Sequence, residues 1–411
     1  MCVIVNPDPV AARHFCQRRR KSHVNFHSEG PISRSLPYNC NLSEARADHS
    51  VRAFEVKSSM SVDHQLPAPA HEPKHGSRGD DTDHPVGTIA TISGRSLQPN
   101  SGIPLDLHWV REMQANTSAI ERRVHSQVAR RSVKKEWQAA WLLRAITCMD
   151  LTTLSGDDTD DRVRRLCAKA QRPIQNDLVR KLGIEELEVK VAAVCVYHTF
   201  IETALHALEG SGVRVAAVST GFPAGLSPLA ERVAEIRRSV EAGAHEIDVV
   251  ITRGHVFGGR WQALYDEVAA FKQACGNAHM KVILGTGDLL TLRNVARASM
   301  VAMMAGADFI KTSTGKEPTN ATLPVGLVMT RAIREYALQT GMGVGFKAAG
   351  GLRTAKQSTD WLALMKEELG LSWTRAELFR FGASSLLGDI ERQLEHYATG
   401  RYSADYRHPI A

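Results

Sequence analysis

Two hydrophobic periods alternate along the chain from about Leu105 onward. Short runs rich in Val, Ile, Ala and Phe read as strands at 146–151, 192–197, 214–219, 246–251, 281–284, 308–312, 343–346 and 379–381. Between them, apolar residues at three- and four-residue spacing predict helices, among them 229–242, 263–275, 291–305 and 324–340. Upstream, 109–145 carries Trp, Val, Ile and Leu at helical spacing among Arg, Lys, Glu and Gln, which predicts one or two amphipathic helices. Parallel strands need long crossovers, and helices supply them, so eight such units predict a parallel α/β fold. Closed on themselves they give a (β/α)8 TIM barrel with N-terminal helices; an open doubly wound sheet is the alternative. No Gly-x-Gly-x-x-Gly follows the first strand and no Walker-type sequence occurs, which favours the barrel.

The pattern before Pro104 is different. Residues 1–104 are rich in His, Ser, Pro, Arg and Asp and hold no sustained period, too little apolar surface to offset chain entropy. They read as a low-complexity, disordered extension, with one short strand near 88–92, ahead of a barrel domain at 105–411. The run Arg18-Arg19-Arg20-Lys21 reads as a solvated charge cluster, and Asp8 and Glu29 nearby speak against an organelle transit peptide.

Composition changes this picture little. The chain has 411 residues, 43% hydrophobic and 23% charged, room for a barrel of ~250 residues plus an extension. No run approaches the ~20 apolar residues of a membrane span, so no membrane partner and a cytoplasmic location are expected. The seven cysteines are scattered, without a Cys-x-x-Cys pair, which argues against disulfides or a zinc site and for a reducing compartment. The net charge of +7 comes from pairs such as Arg122-Arg123, Arg130-Arg131 and Lys134-Lys135 spread over helical segments, so solvated helix faces explain it better than a nucleic-acid partner.

Charged side chains inside apolar strands are costly unless used, and three stand out. Lys311 ends the strand Asp308-Phe-Ile-Lys311, Lys347 follows Gly345-Phe346, and Asp248 lies in Glu246-Ile-Asp-Val-Val250. At strand C-termini they would converge at the barrel mouth, where barrel active sites lie. A partly desolvated lysine beside a second cation loses its proton more readily and becomes a nucleophile toward carbonyls. Lys311 is then the amine, Lys347 the neighbouring charge and Asp248 a proton carrier. The alternative is a set of structural ion pairs. Gly350-Gly351 follows the seventh strand, and Gly382-Ala383-Ser384-Ser385 follows the eighth and opens a helix, the places where barrels commonly hold phosphate; Gly315 and Lys316 add donors from the sixth loop.

Six ordered motifs resemble deoxyribose-phosphate aldolase: Met149-Asp-Leu-Thr-Thr-Leu154, Ala193-Val-Cys-Val-Tyr197, Glu246-Ile-Asp-Val-Val250, Asp308-Phe-Ile-Lys-Thr-Ser-Thr-Gly-Lys316, Gly345-Phe-Lys-Ala-Ala-Gly-Gly351 and Phe381-Gly-Ala-Ser-Ser385. Lys134-Lys-Glu-Trp-Gln-Ala-Ala-Trp-Leu-Leu143 and Thr399-Gly-Arg-Tyr402 resemble its longer, eukaryotic-type form. The resemblance implies retro-aldol cleavage of 2-deoxy-D-ribose 5-phosphate to D-glyceraldehyde 3-phosphate and acetaldehyde, without metal or cofactor. It implies Lys311 as the Schiff-base lysine, Asp248 and Lys347 as proton donor and acceptor groups, Cys195 near the substrate, and Asp150 and Thr152 as supports. Tyr402 or Tyr406 is a candidate to reach the site from the C-terminus. Ala348 and His198 stand where the family pattern usually has proline, and Ala348 is expected to loosen the placement of Lys347. Leu284-Gly-Thr-Gly287 departs from the bacterial pattern, which has glutamate, and is close to the longer form. A homodimer is an assembly that barrels of this kind admit. The rivals are a Schiff-base aldolase with another phosphorylated substrate, and a silent barrel that binds partners through its basic N-terminal arm.

Overall fold

A computed structural model of the chain describes residues 88–409 except Arg131. The 1–87 part of the expected extension and the Arg18–Lys21 run lie outside the described residues. The first elements are β1 (Ala90–Ile92) and β2 (Arg95–Pro99), an antiparallel hairpin. Its two-residue turn, Ser93-Gly94, has φ of 48° and 78°, the doubly positive pair that matches strand twist in a tight hairpin. The strand expected near 88–92 is β1. Regular structure at residues 90–99 thus lies inside the stretch that composition assigned to the extension.

Three helices precede the barrel: α1 (Leu107–Glu112), α2 (Thr117–Arg130) and α3 (Lys135–Thr147). Eight parallel strands then close in chain order. They are β3 (Met149–Thr152), β4 (Ala193–Tyr197), β5 (Arg214–Ser219), β6 (Glu246–Val250), β7 (His279–Ile283), β8 (Phe309–Lys311), β10 (Gly345–Ala349) and β11 (Phe379–Gly382). A two-residue strand, β9 (Met342–Gly343), stands outside the barrel and pairs with β2, which ties the hairpin to the N-terminal face. The helices that follow the strands are α4 (Asp160–Gln171), α5 (Asn176–Leu182), α6 (Ile201–Ala207), α7 (Leu229–Glu241), α8 (Arg253–Phe257), α9 (Trp261–Cys275), α10 (Leu292–Met304), α11 (Leu323–Thr340), α12 (Ala355–Glu368) and α13 (Ser385–Thr399). Among the described residues no helix is long and apolar enough to cross a membrane.

Two strand expectations shift. Residues 146–148, expected in the first strand, belong to the end of α3 and its cap; seven residues of this helix are buried, so its apolar run merges with that of the strand. The seventh barrel strand is Gly345–Ala349 rather than 343–346. Close packing explains the break, because a Cβ at Gly345 would lie 2.5 Å from the Phe309 ring and one at Gly343 would lie 2.9 Å from Ile89.

Strands buried on both faces are what a parallel barrel demands. Outward residues such as Val194, Ile247, Val282, Ile310, Phe346 and Phe379 join the helices in the main core. The inward face is divided. Ala193, Cys195, Ala216 and Val218, with Leu154, make a small apolar cluster on the β4–β5 side. The other strands point charges inward.

Candidate active site

Register decides which charges meet. Lys311 on β8 lies beside Lys347 on β10, Lys347 beside Arg380 on β11, and Asp248 on β6 beside Lys281 on β7. Parallel neighbours share a face, so all of these point into the barrel. Asp248 Oδ2 accepts from Lys311 Nζ at 2.7 Å and from Lys347 Nζ at 2.8 Å, while its Oδ1 accepts from Lys281 Nζ at 2.9 Å. Lys347 also donates to Asp150 Oδ2 at 2.5 Å. Arg380 donates to Asp150 at 2.7 Å and to both oxygens of Glu246, and Lys281 reaches Glu246 at 2.6 Å. The three expected residues thus come together, and Asp150 joins them. All three carboxylates are taken up by cations, which leaves no free donor set for a metal in this cluster.

The lysines differ in their surroundings. Lys311, at the strand's end, is 3% exposed and touches one carboxylate oxygen, which Lys347 shares. Burial, with the Lys347 charge beside it, lowers its proton affinity below that of an ordinary lysine despite Asp248. Lys347 is fully buried between two carboxylates. Burial opposes its charge, but Asp150 and Asp248 outweigh that and raise its proton affinity. Asp248 is held well below the usual carboxylate range: burial works against its charge, and Lys281, Lys311 and Lys347 overcome it. The mouth therefore holds an amine poised to be free, beside a charged lysine and a charged aspartate. Such a set can add to a carbonyl and move protons around the adduct.

The loops beyond the strands carry the anion candidates. Gly315, Gly350 and Gly351 take φ of 87°, 80° and 78°, the left-handed region that favours glycine. A Cβ at Gly315 would lie 3.9 Å from Gly350 Cα, so the two loops adjoin. Ser385 starts α13, and its neighbour Ser384 is tied inward, its hydroxyl donating to Thr152 O at 2.6 Å and accepting from Thr152 N at 3.0 Å. Ser384 thus braces β3 against the last loop, and its side chain is already engaged. Gly382 makes room: a Cβ there would lie 3.1 Å from Lys347 Cε and 2.9 Å from Ala349 Cβ. Lys316 is exposed. Glu317, not singled out in the sequence, already sits on the sixth-loop donors, accepting from Thr314 N, Thr314 Oγ1 and Gly315 N at 2.7–3.1 Å.

Other expectations resolve differently. Cys195 points inward among small apolar residues, and burial pushes its thiol above the ordinary value, so it is a neutral wall and not a nucleophile. Ala348 does not loosen Lys347: it sits fully buried in β10 opposite Phe381, and Lys347 is fixed through its two carboxylates. His198 opens a 3-10 turn at the end of β4, its Nδ1 3.6 Å from Glu235. Neither C-terminal tyrosine enters the mouth, a correction to that expectation; Tyr402 stacks on His396 of α13 at 4.2 Å, and Tyr406 is 84% exposed. The sequence reading missed Glu246, Lys281 and Arg380. Their signal was present as charges within apolar strands, Met280-Lys281-Val282 and Phe379-Arg380-Phe381.

Comparison with known proteins identifies the family. A family model described as DeoC/LacD family aldolase matches residues 144–386. The chain is 58% identical over 312 residues to the deoxyribose-phosphate aldolase of Mus musculus, covering 75% of this chain and 98% of that one. It is 56% identical over 314 residues to that of Homo sapiens, covering 76% and 99%. A solved structure from Toxoplasma gondii ME49, 21% identical, matches with a TM-score of 0.55 over 66% of this chain and 98% of its own, a likeness in fold. With the family model spanning every barrel strand and the whole charged cluster, this chain belongs to the DeoC/LacD family of aldolases.

Proposed function

We propose that the chain cleaves 2-deoxy-D-ribose 5-phosphate reversibly to D-glyceraldehyde 3-phosphate and acetaldehyde through a Schiff base on Lys311. The observation that carries this reading is the shared Asp248 oxygen, on which a rim lysine of lowered proton affinity meets a lysine held charged. Lys311 Nζ adds to C1 of the open-chain aldehyde. Asp248 and Lys347 relay the protons that turn the carbinolamine into an iminium and water. Loss of the C3 hydroxyl proton breaks the C2–C3 bond, and the electron pair moves into the iminium to leave an enamine. Protonation at C2 and hydrolysis release acetaldehyde and the free amine.

The substrate phosphate is assigned to Gly350, Gly351 and the start of α13 with Gly382, Ser384 and Ser385, where backbone N–H groups and the helix dipole favour an anion. Gly315 and Lys316 complete it from the adjoining loop. That Glu317 already holds a carboxylate on the Thr314 and Gly315 N–H groups supports the anion preference of this nest. Four buried free thiols, Cys148, Cys167, Cys195 and Cys275, fit a reducing compartment such as the cytoplasm.

The test is reductive trapping: deoxyribose 5-phosphate, borohydride, digestion and peptide mass mapping. A reduced adduct on Lys311 is expected. An adduct elsewhere, or none from folded protein, would overturn the assignment.

A further inference from the structure

Beneath the reacting amine lies a layer of charge that the reaction as proposed does not use. Glu246, Lys281 and Arg380 are buried, point inward and bond to one another: Lys281 to Glu246 at 2.6 Å, Arg380 to Glu246 at 2.8 Å. The layer joins the mouth through Lys281 on Asp248 and Asp150 and through Arg380 on Asp150. Together the cluster holds four cations (Lys281, Lys311, Lys347, Arg380) and three carboxylates (Asp150, Glu246, Asp248). Fully ionised, it carries one unmatched positive charge in a water-poor interior, where an unpaired charge is costly.

We propose that Glu246, Lys281 and Arg380 are positioning residues whose charges set the net charge of the barrel interior and so make Lys311 the group that gives up its proton. Loss of one proton brings the cluster to neutrality. Lys311 is the cheapest donor of that proton, since it alone in the cluster touches a single carboxylate, while Lys281, Lys347 and Arg380 each bridge at least two. The remaining inward strands do not alter the count. Ala216 and Val218 of β5 carry no charge, and Cys195 of β4 is a neutral thiol. At the N-terminal face Arg214 reaches Glu246 at 3.4 Å, but its side chain is 47% exposed and screened by water. His279 opens β7 at that same face, and Asp308 is matched by Lys272 at 2.5 Å.

The inference rests on Lys311 being the Schiff-base amine, and its test separates the two. Acetaldehyde, which brings no phosphate of its own, is trapped on the full chain with cyanoborohydride across pH, and the midpoint for Lys311 labelling is read by peptide mass spectrometry. Arg380→Gln leaves three cations and three carboxylates, so Lys311 stays protonated longer and the midpoint rises by about one pH unit or more. Glu246→Gln leaves an excess of two positive charges, so the midpoint falls by a similar amount. The double variant restores the original excess and returns the midpoint toward that of the unaltered chain, as does Arg380→Lys, which keeps the charge and loses the fork. A purely structural layer would instead lower labelling in both single variants and lower it further in the double. Midpoints that coincide, or move the same way, overturn the proposal, and circular dichroism identifies any variant that has not folded. No label on Lys311 in the unaltered chain defeats the Schiff-base assignment itself.

Discussion

At the scale of single residues, Lys347 works through its charge as much as its protons. It shares Asp248 Oδ2 with Lys311, so its removal takes away a repelling neighbour and leaves Asp248 more strongly attracting to the Lys311 proton. Both changes favour the protonated amine. We predict that Lys347→Leu shifts the acid limb of the activity profile upward by about one pH unit or more, beyond the loss of turnover at the plateau. A pH–kcat series checks it, and a limb that stays in place would rule out the charge role. Glu317 gives a second prediction. Its carboxylate occupies Thr314 N and Gly315 N, donors the substrate phosphate would need. Glu317→Gln keeps the shape and drops the charge, so KM for the sugar phosphate should fall severalfold with kcat little changed. A rise in KM would show that Glu317 shapes the loop and does not compete for it. Lys311, Lys347 and Asp248 were legible because a charge within an apolar strand or at its end asks for a reason. Glu246, Lys281 and Arg380 obey the same rule, yet their meaning depends on closure: Arg380 and Asp150 meet across 230 residues of sequence. No local pattern contains that contact.

At the scale of elements, helices were read more closely than strands. The four helices singled out in the sequence end within two residues of their positions in the structure, and Thr291 marks one start by capping Asn294 N. The first strand was misjudged because a buried helix and a buried strand present the same apolar run. The hairpin was underestimated for the opposite reason, since β1 and β2 are short and half exposed and gain their order from anchoring. Asn100 is that anchor. Its amide donates to Met303 O at 2.9 Å and Ala307 O at 2.8 Å, and its oxygen accepts from Gly102 N and Tyr336 Oη. Asn100→Ala takes this partner from Ala307 O, Gly102 N and Tyr336 Oη, which should cost about 2–3 kcal/mol. The site lies at the other end of the barrel, so kcat should hold. Urea unfolding and steady-state kinetics on one preparation test the split, and a kcat that falls in step with stability would mean that the two ends are coupled.

For the whole molecule, the divided barrel interior matters more than the overall charge of +7. Uncharged small residues line one side, and a seven-membered charge cluster fills the other. The cluster ties stability to pH with a definite sign. In Asp150, Glu246 and Asp248 burial works against the charged form, but the surrounding lysines and arginine outweigh it, so all three hold their protons less readily than in an unfolded chain. Their contribution is fully present above the unfolded carboxylate range near ~4 and is lost as pH falls through the lower folded values. Protonating one of them strands a buried cation, so the three should titrate with unfolding rather than before it. The cluster's share of the unfolding free energy should therefore stay nearly level from neutral pH to about 5. Below about pH 4 it should drop by up to ~4 kcal/mol per pH unit, the slope for three protons taken up together. Urea titrations at closely spaced pH values measure that slope, and repeating them at high salt separates the screened surface pairs from this buried cluster. A slope near ~1.4 kcal/mol per pH unit, the value for one proton, would mean that the carboxylates titrate singly in a barrel already loosened. A steep slope that salt leaves unchanged would mean that the machinery of the mouth and the stability of the barrel rest on the same set of buried charges.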